Sequence, residues 1–223
     1  MRNIPEATKN LLIINILFFI ATKLNSDFMF ETFSLFYPTS QHFHIWQPVT
    51  YMFMHGGFFH IFLNMFSLVM FGSMLERMLG TRKFLVFYFV CGLGAMAIHL
   101  GVEALQASAY MDRIADGSQQ AMAAYQVLKN TPTVGASGAV YGLLIGYAIL
   151  FPDARLTLIF PPITMKSRTW VLIFVALELL QGLTGTGSDI AHFAHLGGML
   201  FGWILITYWR KRGKLFSSNG FYY

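Results

Sequence analysis

Residues 133–146 read TVGASGAVYGLLIG, a serine among glycines at the head of a strongly apolar run. Hydrocarbon offers a hydroxyl no water, so Ser137 must find a hydrogen-bond partner within the protein. Two readings compete. Gly138, Gly142 and Gly146 recur at every fourth position, the small-residue stripe that lets membrane helices approach closely, and on that reading the stretch serves helix packing. On the other reading Ser137 is a nucleophile, and it needs a base, an oxyanion site and water.

The surrounding chain decides what kind of protein carries the stretch. Of 223 residues, 56% are hydrophobic and 11% charged, and the mean hydropathy is +0.56. These values exclude an ordinary soluble domain and predict a polytopic membrane protein in contact with the lipid bilayer. The single cysteine, Cys91, lies in an apolar segment and supports neither a disulfide framework nor a thiolate metal cluster. Basic residues outnumber acidic ones, 15 to 10. In a soluble protein that excess would suggest nucleic acid; here its placement explains it better, and no nucleic-acid partner is expected.

Apolar stretches approaching the ~20 residues of a membrane span run over 7–24, 58–78, 84–105, 134–151, 168–184 and 190–209. The expected fold is therefore an all-α six-helix membrane bundle, one domain over 1–223. A signal peptide is the alternative for the first stretch, but no small-x-small cleavage site follows it. Twelve of the fifteen cations flank the spans on one side: Arg2, Lys9, Arg77, Arg82, Lys83, Arg155, Lys166, Arg168, Arg210, Lys211, Arg212 and Lys214. Only Lys23, Arg113 and Lys129 lie opposite, which puts both termini in the cytoplasm. The external loop 25–57 carries Phe28, Phe30, Phe33, Phe36, Tyr37, Phe43 and Trp46, too apolar for a solvated linker, and should be partly embedded in the interface. Residues 106–132 read as a short surface helix ahead of Pro132.

Polar residues then recur at one depth. His60 and Asn64 lie one turn apart near the external end of the second span, and His192 and His195 near the external end of the sixth, where the fourth span also begins at Ser137. A shared wet site facing outward follows. Glycines at −2 and +1, Gly135 and Gly138, leave room for a substrate carbonyl beside Ser137. Imidazole is the usual base for serine. Gly198 and Gly202, three and seven residues after His195, let the sixth span press on the glycine stripe of the fourth and favour His195 as that base, with His192 the alternative. Tyr141, one turn below Ser137, could stack on the ring and fix its orientation, since no Asp or Glu is expected near either partner at this depth. Glu178 reads equally as a functional intramembrane carboxylate and as a residue facing loop water. His60, Asn64 and the Ser137 backbone N–H would serve an oxyanion. His55 reads as a cap on the second span, His99 as a satisfied polar contact, and His42 and His44 as loop residues.

At these residues the sequence resembles the rhomboid intramembrane serine proteases, over Trp46 to Gly202. WQPVTYMFMHGGFFHIFLNMFSLVMFG resembles the family's first loop and second helix, GASGAVYG its G-x-S-G motif, AHLGG its histidine helix, and GSMLERMLG, with Glu76 and Arg77, the end of its second helix. Gln47 departs, standing where some members carry arginine, so no bidentate guanidinium serves the first loop. The resemblance implies Ser137 as nucleophile, His195 as base, His60 and Asn64 at the oxyanion, and no metal or organic cofactor. It also implies single-pass membrane-protein substrates with a small residue before the cut and a locally weakened helix. By analogy the short tails suggest a bacterial-type plasma membrane. Two rivals are a catalytically inactive relative that binds membrane clients, expected to have lost the serine or the histidine, and a metal-ion transporter, which would need two or three ligands converging at mid-span.

Overall fold

The first helix begins on a carboxylate that belongs to another helix. In the structure, a computed structural model describing residues 3–157, 161–184 and 189–215, α1 (Glu6–Leu24) offers its unpaired backbone N–H groups to Glu76. That side chain accepts from Ala7 N at 3.0 Å and Thr8 N at 2.8 Å, and from the hydroxyls of Thr8 and Thr81. A negative charge at the positive end of α1 satisfies orphan donors and ties the helix to the rest of the bundle. Arg2, counted above among the cations, lies outside the described residues.

The external loop is built rather than flexible. It holds α2 (Ser26–Phe33), α3 (Gln47–Thr50) and the 3-10 turn Tyr51–Phe53, and it buries Leu35, Phe36, Met52 and Met54. Gln47 organises it. Fully buried, its Nε2 donates to the His42 carbonyl at 2.7 Å and reaches the Glu31 and Thr32 carbonyls at 3.4 Å, while Oε1 accepts from Phe36 N at 3.3 Å. A neutral amide thus ties the loop together where some family members carry a guanidinium.

Helix α4 (Phe58–Ser67) continues through the π turn Leu68–Gly72 into α5 (Ser73–Leu79), and α6 runs over Thr81–Ala115. The expected third span, 84–105, is therefore extended, because no helix breaker intervenes before Gly117. The surface helix follows as α7 (Gln119–Asn130), capped by the Ser118 hydroxyl accepting from Ala121 N at 3.2 Å. The fourth span is shorter than the expected 134–151. Helix α8 (Ser137–Leu150) starts only at the serine, since Gly135 adopts φ +136°, a conformation open to glycine and closed to a helix.

The all-α expectation needs one correction. Strands β1 (Arg155–Thr157) and β2 (Thr164–Lys166) pair antiparallel with Leu156 opposite Met165, a small hairpin whose Thr157 and Thr164 hydroxyls meet at 2.7 Å. Each strand half-buries its central apolar residue, Leu156 or Met165, between exposed neighbours. Helices α9 (Ser167–Thr184) and α10 (Asp189–Lys211) are the last two elements among the described residues. Among the described residues, Glu6–Leu24, Phe58–Leu79 and Thr81–Ala115 are long and apolar enough to cross a membrane, and α8 is apolar but shorter.

Helices α6, α8 and α10 form the centre of the bundle, packed where side chains are absent. A Cβ on Gly198 would collide with the backbone carbonyl of Gly138, and one on Gly202 would lie 3.1 Å from the carbonyl of Gly142. Gly138, Gly142 and Gly146 also face α6, against Ala95, Cys91 and Phe87. The stripe therefore serves two neighbours, and Cys91 is a fully buried packing residue. Gly101 has nothing within 4 Å of its would-be Cβ. Gly198→Ala should lower the melting temperature in detergent by several degrees, whereas Gly101→Ala should leave it unchanged or slightly raised. Equal melting curves for the two variants would remove the backbone contact from the account of stability.

Candidate active site

The contact of α8 with α10 sets Ser137 against His195. Ser137 is the first residue of α8, beside Gly138; His195 lies one turn before Gly198 on α10. Ser137 Oγ and His195 Nε2 are 3.0 Å apart. Tyr141 stacks on the imidazole with centroids 4.2 Å apart and planes 12° from parallel. Of the two histidines on this helix, His195 is the one within hydrogen-bond reach of the serine.

The expectation that no carboxylate lies nearby is overturned. Glu178 of α9 is buried, with Oε1 3.1 Å from His195 Nδ1 and Oε2 2.7 Å from His192 Nδ1. The reading of Glu178 as facing loop water falls with this, because α9 packs that face onto α10 rather than outward. An acidic residue inside an otherwise apolar helix was the available clue, and two histidines on the next helix were the available partners.

By ligand type Glu178, His192 and His195 would suit a divalent cation, their ligand atoms lying within 4.8 Å of one another. Hydrogen bonding describes their geometry better. Ligands ~2 Å from a tetrahedral ion lie ~3.3 Å from each other, and the His192–Glu178 separation of 2.7 Å is well inside that.

On the other side of Ser137 stand His60 and Asn64. The Gly56 N–H donates to His60 Nδ1 at 3.4 Å, which leaves the proton on Nε2. That Nε2 lies 3.0 Å from where a Cβ on Gly135 would be, and Ser137 Oγ lies 3.4 Å from the same point, so only glycine keeps this space open. Asn64 is buried; its amide donates to the His60 carbonyl at 3.0 Å and keeps its second N–H. Gly135 is itself anchored, its N–H donating to the Tyr51 carbonyl at 3.0 Å. A cavity of about 680 Å³ joins these groups, lined by Ser137, His195, His60 and Asn64 and walled by aromatic residues such as Phe62 of α4 and Trp170 of α9.

The remaining histidines are structural. His55 does not cap α4, whose first residue follows Gly57 without a side-chain cap. It lies buried, its ring centroid 5.0 Å from that of His60, and burial pushes its pKa down to about 4, so the ring stays neutral. His99 meets Thr133 Oγ1 at 2.9 Å and Glu103 at 3.4 Å, steadying the segment that leads into Ser137. His42 pairs with Glu31 and His44 stacks on Trp46, both within the external loop.

A family model, that of the Rhomboid domain, matches residues 42–212. The presenilin-associated rhomboid-like protein, mitochondrial, of Homo sapiens is 28% identical over 169 residues, covering 73% of this chain and 39% of that protein. Rhomboid-like protease 3 of Toxoplasma gondii is 27% identical over 175 residues, with 78% and 55% covered. Rhomboid protein 1, mitochondrial, of Saccharomyces cerevisiae is 27% identical over 158 residues, with 69% and 40% covered. The chain thus spans about half or less of these relatives' length. The match and the apolar helices together make this a multi-pass integral membrane protein.

Proposed function

The chain belongs to the rhomboid family, and on that premise we propose that it is a serine endopeptidase cutting membrane proteins in or next to their transmembrane segments. The observation that carries the proposal is the 3.0 Å contact of Ser137 Oγ with His195 Nε2 inside a mostly apolar cavity. Intramembrane protease-like function is common ground for the family; the residue roles belong to this proposal. Ser137 Oγ attacks the scissile carbonyl as its proton passes to His195 Nε2. His60 Nε2–H, the Asn64 amide and the Ser137 backbone N–H stabilise the oxyanion. His195 then protonates the leaving amine, and water, activated by the same ring, releases the acyl group.

The proposal takes the chain as one domain with six spans, α8, α9 and α10 joining the three longer helices, and with both termini on the cation-rich cytoplasmic side. Gly135 and Gly138 keep space for the carbonyl; Gly198 and Gly202 hold the two helices together; Tyr141 orients the ring. Its substrates are single-pass proteins whose helix is weakened near the cut, since a hydrogen-bonded helix hides its carbonyls. The apolar cavity walls suit such a segment. A bacterial-type plasma membrane gains no support from relatives whose names place them in mitochondria.

A fluorophosphonate probe should label Ser137, as read by peptide mapping. Ser137→Ala and His195→Ala should each abolish cleavage of a transmembrane substrate in liposomes while remaining folded. An unlabelled, inactive wild type would favour the client-binding alternative. The trio of Glu178, His192 and His195 is the one observation favouring metal transport; chelator-treated protein that still cleaves would set that reading aside. Removing a preorganised oxyanion donor costs ~10²–10³ in rate, so His60→Ala and Asn64→Ala should each reduce kcat on that scale with little change in KM. Wild-type kcat in both would take them out of the site.

A further inference from the structure

Resting on the Ser137–His195 reading, we propose that Glu178 is a positioning residue that turns this dyad into a triad: it fixes the tautomer of His195 and offsets the positive charge the ring acquires during turnover. The geometry runs in one line. Glu178 Oε1 lies 3.1 Å from His195 Nδ1, and His195 Nε2 lies 3.0 Å from Ser137 Oγ. An ionised carboxylate only accepts hydrogen bonds, so Nδ1 carries the proton and Nε2 presents its lone pair to the serine hydroxyl. The opposite tautomer would set a lone pair against a carboxylate and would leave the ring unable to take the serine proton.

His192 completes the arrangement. Its Nδ1 donates to the second carboxylate oxygen at 2.7 Å, so that Oε1 is left facing His195. The Glu178 side chain is only 9% exposed. A carboxylate at such a depth is costly unless its oxygens are satisfied, and two imidazole N–H groups satisfy one each. Tyr141 holds the ring from its face, and Glu178 holds it from its edge.

During attack the Oγ–H bond of Ser137 breaks, an Nε2–H bond forms on His195, and the new C–O bond places negative charge on the substrate oxygen. The imidazolium keeps its Nδ1 proton; Glu178 stays ionised throughout and gains nothing but a stronger hydrogen bond. In a site of low dielectric this charge pairing lowers the barrier without affecting how the ground-state substrate binds.

Glu178→Gln preserves shape but lets an amide N–H face Nδ1, which selects the unproductive tautomer. In liposomes with a transmembrane substrate, kcat should fall by up to about 10⁴-fold, the loss seen when a triad carboxylate is neutralised, with KM changed less than threefold and the melting temperature kept within a few degrees. Fluorophosphonate labelling of Ser137 should slow in parallel, and Glu178→Asp, which keeps the charge, should recover part of the loss. A second readout needs no variant: ¹⁵N-histidine NMR of the wild type should show His195 protonated at Nδ1 and bare at Nε2. Wild-type kcat in folded Glu178→Gln, or an unprotonated Nδ1 on His195 in the wild type, would overturn the assignment. So would a larger loss in His192→Ala than in Glu178→Gln. Ser137→Ala in the same assay keeps the two readings apart. If it is active, the protease reading fails; if it is inactive while Glu178→Gln keeps wild-type kcat, only the triad fails.

Discussion

The backbones of α8 and α10 touch, and the site depends on that contact. At Gly198 the carbonyl of Gly138 occupies the place where any other residue would carry a Cβ. Ser137 is covalently next to Gly138 and His195 is one turn from Gly198, so the hydroxyl-to-imidazole distance is set by two backbones resting on each other. Side-chain packing could relax by tenths of an ångström; touching backbones cannot. Since ~1 Å of misplacement costs catalysts as much as 10²-fold, rigidity at this point is worth more to function than apolar area elsewhere. Helix α6 backs the pair, with Ala95 and Cys91 filling the space the glycines of α8 leave open.

What the sequence made legible follows from this. Small residues at four-residue spacing announce that something approaches closely, and polar residues in apolar runs announce that they meet something polar. Together these were enough to bring Ser137, His195 and His60 to one end of the bundle, with Asn64 and Tyr141 a turn further along their helices. They say nothing of azimuth. Whether Glu178 faces the bundle or the surface is decided by how α9 rolls against α10, and a single buried carboxylate carries no periodicity to fix that roll. The same limit left the length of α6 short, because residues 106–115 are polar enough to look like a loop while containing nothing that stops a helix. The hairpin was missed for a related reason: three-residue strands are too short to establish a period.

Gln47 shows how a departure from an expected residue can be absorbed. A guanidinium would have offered several donors in a fixed fork. The amide offers two donors and an acceptor, and the loop around it presents the carbonyls of Glu31, Thr32 and His42 and the N–H of Phe36. Using both kinds of partner, a neutral side chain can be buried completely, which a charge could not be without a counterion.

That loop is needed because α8 is short. Its fourteen residues extend about 21 Å, roughly 9 Å less than the hydrocarbon thickness of a bilayer. Residues 133–135, which lead into Ser137, lie outside the helix. Backbone outside a helix must pair its N–H and C=O groups within the protein wherever water is excluded. Thr133 does so with Leu35, through bonds of 2.8 and 2.9 Å, and Gly135 with Tyr51. Both partners belong to the aromatic loop 25–57, which explains why that loop is apolar and buried rather than solvated. A short α8, a non-helical stub before it and a buried loop that satisfies that stub are one solution to one constraint: backbone that leaves a helix must still be paired wherever water is excluded.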